Sequence, residues 1–87
     1  METRMNVRLS PKARKQYLRL PSEIQRRVAI VVDRLRFWPG VSGVRPLTGP
    51  LAGWFRIRTG DYRVRFYLDG HDIVVDRIGH RKDFYAD

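Results

Sequence analysis

The sequence predicts a small α+β domain, with an N-terminal strand and a helical hairpin packed on an antiparallel β-sheet. Three observations predict it. Apolar spacing changes from alternating to helical after Ser10. A loop with four glycines and two prolines, GVSGVRPLTGPLAG, spans 40–53. Beyond it come three strand-like segments joined at Gly60-Asp61 and Asp69-Gly70, the turn chemistry of β-hairpins.

Met5, Val7 and Leu9 alternate with Asn6 and Arg8, so the chain opens on a strand. Ser10-Pro11 starts a helix, because serine accepts from open N–H groups and proline fits the first turn. Ala13, Tyr17 and Leu20 continue at helical spacing, and Pro21 breaks the run. Ser22 and Gln25 have capping-box spacing for a second helix. Its apolar stripe is Ile24, Val28, Val31, Val32 and Leu35, and Trp38-Pro39-Gly40 ends it. Trp38 reads as a core residue. The strands follow at 54–59, 62–68 and 72–78. The 87 residues fit one domain, 1–87, with one core. A chain of this size buries roughly 60–65% of its unfolded surface.

Composition narrows the function. The net charge is +9, with 15 arginines against 3 lysines. Arginine offers a planar fork that fits phosphate and stacks on bases. Such a basic domain points to a polyanionic partner. With no cysteine, thiolate chemistry and cysteine-based zinc sites are excluded. The two histidines, His71 and His80, are too isolated for a metal site, and no cofactor fingerprint is present. No apolar run has the length of a membrane span, and METRMNVRLS lacks a signal-peptide core, so the cytoplasm is the expected location and no membrane is involved.

The strand faces carry the candidate site. Phe55 and Ile57, with Tyr62, Val64, Phe66 and Leu68, form the apolar set that meets the helices. Arg56, Arg58, Arg63 and Arg65 then share the opposite face, with Trp54 and Tyr67 among them. A solvated face relieved by Asp61 and Asp76 is the plainer reading. A cradle for successive phosphates is the functional one, since aromatics beside cations grip single-stranded RNA. DIVVDRI has no clean period; strict alternation puts Arg77 with Ile73 and Val75, and Val74 with Asp76 and Ile78. GHRKDFY follows directly, so its side chains should arrive near the arginine face or just beyond its rim.

Metal-independent RNA cleavage needs a group to take the 2′-hydroxyl proton, charge stabilisation at phosphorus, and a proton for the leaving 5′-oxygen. Histidine and tyrosine can move protons, and arginine stabilises a transferring phosphoryl group. His80, Arg81 and Tyr85 therefore supply a sufficient inventory, with Lys82 as a further phosphate contact.

The combination of LSPKARKQYLRLPSEIQRRV, RPLTGPLAGWFRIRTGDYRVRFY and DRIGHRKDFY resembles the RelE/ParE superfamily of type II toxin–antitoxin toxins, on its RelE-like branch, over nearly the whole chain. The resemblance implies a ribosome-dependent mRNA endoribonuclease that cuts by 2′-hydroxyl attack on the adjacent phosphate without a metal or other cofactor. It maps the working residues onto Arg56, Arg58, Arg63, Arg81 and Tyr85, with His80 beside them; Arg65 and Lys82 add phosphate contacts from the strand faces and the C-terminal run. Several active members have lysines where Arg56 and Arg58 stand, one of them assigned as base. Here His80, Tyr85 or positioning alone is left for that role. The implied partners are a small acidic antitoxin, the ribosome with its mRNA, and operator DNA reached through the antitoxin. Two other functions share these features: a ParE-like inhibitor of DNA gyrase, and a basic RNA- or ribosome-binding module without catalysis.

Overall fold

The computed structural model describes residues 4–85, with Tyr85 described by its backbone alone. The elements run β1 (Asn6–Leu9), α1 (Pro11–Leu18), α2 (Ser22–Arg34), β2 (Arg45–Pro46), β3 (Trp54–Thr59), β4 (Tyr62–Asp69), β5 (Asp72–His80) and α3 (Arg81–Tyr85). Ser10 caps α1 as its chemistry predicts: its Oγ accepts from the Ala13 N–H at 3.1 Å, with Pro11 in the first turn. The expected capping box of α2 does not form. Ser22 is already helical, Pro21 precedes it, and no side chain caps the end. The Gln25 amide instead donates to the Tyr17 carbonyl at 3.0 Å, tying α2 to the end of α1.

The strands form one sheet in the order β1-β5-β4-β3-β2. Its pairs are antiparallel except β1 with β5, which is parallel. The sheet is thus mixed rather than wholly antiparallel. The helical hairpin carries the chain from β1 to the far edge at β2, and the meander returns β5 to β1 pointing the same way. Arg45 and Pro46 add a strand within the glycine-rich loop, where an edge position tolerates proline. Gly60 and Gly70 open the two tight turns at φ of 58° and 61°, which a side chain would resist. The pairing of β1 stops at Leu9 opposite Val75. Beyond it α1 covers the edge of β5, where the Gln16 Oε1 accepts from the Ile78 N–H at 2.7 Å.

β5 holds the feature that the alternation rule misses. Arg65 pairs with Arg77, yet the next residue, Phe66, pairs with Val75, so Asp76 is an inserted residue. This bulge reverses the alternation. Ile73, Val75 and Ile78 all enter the core, while Val74 and Arg77 face the other way. The expectation that Arg77 lies with Ile73 and Val75 is corrected accordingly; one extra residue shifts every side chain beyond it to the opposite face.

The core joins Ala13, Val28, Val31 and Leu35 of the helical layer to Ile57, Val64, Phe66, Ile73, Val75 and Ile78 of the sheet. Trp38 seals one end of it, with ring centroids 4.8 Å from Phe55 and 5.6 Å from Phe66. The helical hairpin therefore occupies one face of the sheet. No described helix is long and apolar enough to cross a membrane.

A candidate nucleic-acid interface

The other face carries arginine in register. Arg45 lies opposite Arg56, Arg56 opposite Arg65, and Arg65 opposite Arg77, a row of four arginines across four strands. Neighbouring strands lie about 4.8 Å apart, so the row spans roughly 14 Å. A second row places Arg58 opposite Arg63, and Arg63 opposite Gly79. Like charges directly opposite one another destabilise a sheet.

Within the row Arg65 is fixed by Asp76, the bulge residue. Its Nε and Nη2 reach the two carboxylate oxygens at 3.1 and 2.7 Å, and both side chains are 18% exposed. Its guanidinium carbon stands 5.1 Å from the Trp54 ring centroid. Arg77 is 9% exposed. Its Nη2 donates to the Asp83 carbonyl at 2.8 Å, and its guanidinium lies 4.5 Å from the Phe84 ring centroid. Burial lowers its pKa from the ordinary arginine value, and neighbouring Arg65 lowers it further; Asp76 and Asp83 act the opposite way. Arg63 is 5% exposed. Its Nη1 donates to the carbonyls of Gly60 and Tyr62 at 3.1 and 3.3 Å, while its Nε is buried with no partner. A buried donor without an acceptor costs stability.

α3 stands on this same face. Phe84 lies over Gly79, where an added Cβ would meet the ring at 3.4 Å. The Arg81 N–H donates to the Asp61 carbonyl at 2.7 Å, and its exposed Nε is 3.9 Å from the Asp61 carboxylate. Arg81 is thereby held at the β3–β4 turn, at the end of the second row. Lys82 is exposed beside it.

The structure thus brings Arg56, Arg58, Arg63, Arg65 and Arg81 to one side of the sheet, and separates His80 from them. His80 is opposite Tyr62, and the two rings meet edge to face at 5.3 Å on the helix side. Beside them a depression of about 270 Å³ wraps the β5 edge, lined by Gln16, Arg19, Tyr62 and His80 together with Arg77 and Asp83. His80 Nδ1 accepts from the Lys82 N–H at 3.2 Å, so the ring caps α3. The Tyr85 side chain, the remaining candidate, lies outside the described residues. Among the described residues no three His, Cys, Asp or Glu side chains converge to hold a metal.

Sequence reasoning missed Arg45 and Arg77. Arg77 was hidden by the bulge, whose trace in the sequence is the broken period of DIVVDRI. Arg45 was hidden in a loop whose glycines and prolines conceal a two-residue strand.

Residues 7–85 match the family model of the ParE toxin of the type II toxin–antitoxin system parDE. The chain belongs to this toxin family. The toxin is 25% identical over 69 residues to Toxin RelE3 of Methanocaldococcus jannaschii, covering 76% of this chain and 78% of that one. Its fold matches the crystal structure of the toxin–antitoxin complex RelBE2 from Mycobacterium tuberculosis with a TM-score of 0.80 and 30% identity, covering 91% of this chain and 100% of that one. It also matches the archaeal RelE–RelB complex from Pyrococcus horikoshii, at a TM-score of 0.73 and 26% identity, over 93% and 97% of the two chains. The resemblance to the RelE/ParE superfamily is thus borne out, and the two solved complexes share this chain's fold.

Proposed function

We propose that the toxin is an mRNA endoribonuclease acting in the ribosome. The observation that carries this reading is the pair of arginine rows meeting Arg81 on a face that the helical hairpin leaves open. In the reaction the RNA 2′-hydroxyl attacks the adjacent phosphorus. The bond to the 5′-oxygen breaks, leaving a 2′,3′-cyclic phosphate and a 5′-hydroxyl end. The 2′-hydroxyl proton passes to a base, and a proton returns to the leaving oxygen.

Arg63 and Arg81 stabilise the charge that gathers on the phosphate oxygens, the contribution that is often largest in such steps. Arg56, Arg58 and Arg65 hold the flanking phosphates, with Lys82 at the rim. Tyr85, four residues after Arg81 in α3, is the proton-transfer group of this reading. His80 serves it indirectly: its capping bond sets the start of α3 and hence the placement of Arg81. A cognate antitoxin that is small and acidic is the proposed regulator. The net charge of +9 favours fast association with it, and two of the similar structures are toxin–antitoxin complexes. Operator DNA would be reached through that antitoxin, and the cytoplasm is the compartment this function requires.

A gyrase-directed reading draws on one observation, the match to the ParE family model. Expressing the toxin in growing cells separates the two. Translation arrest with new mRNA ends supports the nuclease; DNA damage with intact mRNA replaces it with the gyrase reading.

A further inference from the structure

The open face has a third row beside the arginines. Trp54 lies opposite Tyr67, and Tyr67 opposite Val74. The two rings are 4.6 Å apart at 57°, half-buried, and on the face away from α1 and α2. α3 touches this face around Gly79 and Arg77, so the aromatic pair lies towards the other ends of β3 and β4. Cross-strand aromatic pairs support sheets generally. This one is also coupled to the charged row, because Arg65 belongs to that row and rests against Trp54 while Asp76 clamps it from the other side. The ring is thereby held in place before any ligand arrives.

We propose that Trp54 and Tyr67 form a stacking subsite for an unpaired nucleobase, whose flanking phosphates lie on the row from Arg45 to Arg77. The subsite is two residues along the strands from that row, roughly 6.7 Å. A planar, sequence-tolerant platform beside a cationic track is the arrangement that grips single-stranded nucleic acid. The RNA then runs across the strands rather than along them, with its bases turned towards the Trp54 end. This inference rests on the toxin acting on RNA and adds where a base sits.

The test uses equilibrium binding of a six-nucleotide single-stranded RNA, with inorganic polyphosphate as a probe that has charge and no bases. RNA should quench tryptophan fluorescence in a Trp38→Phe protein, where Trp54 is the remaining emitter, and polyphosphate should not. Trp54→Ala and Tyr67→Ala should each weaken RNA binding about 5- to 150-fold, with polyphosphate affinity unchanged. Trp54→Phe, which keeps a ring and guards against a misfolded alanine variant, should retain most RNA affinity. Equal losses for both probes, unchanged RNA affinity, or a wild type that binds polyphosphate and ignores RNA would each overturn the subsite. The nuclease reading is scored separately. A selective loss of RNA affinity in the variants, with mRNA left uncut by the wild type, upholds the subsite and removes the nuclease. Wild-type RNA affinity and mRNA cleavage in Trp54→Ala remove the subsite and keep the nuclease.

Discussion

The two faces of the sheet are built from alternate residues of the same strands and do opposite work. On the helix side, Ile57, Val64, Phe66, Ile73, Val75 and Ile78 are almost wholly buried. On the open side, the same strands hold Arg56, Arg58, Arg63, Arg65 and Arg77. The first face gains free energy by leaving water. The second accumulates like charge, relieved by the Asp76 carboxylate that Arg65 grips and by Asp83 near Arg77. The comparison teaches that the proposed function and the fold draw on the same β-strands through different residues, so the two can be perturbed apart.

The largest effect should come from the buried face. Phe66→Ala removes a ring that touches Trp38 and Phe55 and has no exposure, which should cost about 3–5 kcal/mol of stability. Chemical denaturation measures it, and a loss below 1 kcal/mol would deny that this face builds the fold. The mirror experiment is Arg63→Ala. It should lower mRNA cleavage about 10²- to 10³-fold, while stability falls by at most about 1–2 kcal/mol. Its buried Nε has no partner in the folded chain, so little is lost with it. A variant that unfolds would move Arg63 to the structural account.

The smallest effect concerns His80, on the boundary between the two faces. His80→Asn keeps an acceptor able to cap α3 and should leave cleavage near wild type. His80→Ala loses the cap, worth about 1 kcal/mol, and cleavage should fall several-fold. Equal losses of about 100-fold in both variants would make His80 a proton-transfer group instead.

Much of this was readable from the chain. Ser10-Pro11, the stripe Val28, Val31 and Leu35, and the glycines at 60 and 70 act locally, so their chemistry predicts their structure. The faces of β3 and β4 follow from alternation alone, and with them four of the arginines. What escaped was non-local. The parallel pairing of β1 depends on where the chain returns 66 residues later. The bulge at Asp76 depends on the register of β5 against β4, and it moves Arg77 into the arginine row. His80 escaped through the same register, because an extra residue before it decides which side of the sheet it faces. GHRKDFY was read as chemistry alone, and its run from Arg81 to Tyr85 is also a helix whose start His80 caps.

The central claim is that the open arginine face, completed by Arg81, cuts mRNA. Arg81 is exposed and its contact with the Asp61 carboxylate is long, so its loss should leave the fold intact. Primer extension on an mRNA held in a programmed ribosome should therefore be run with wild type and Arg81→Ala, and with ribosome-free mRNA alongside. The account predicts new ends in the A-site codon with wild type, and none with the variant or the free mRNA. Ends that persist at wild-type intensity with a folded Arg81→Ala protein would contradict it.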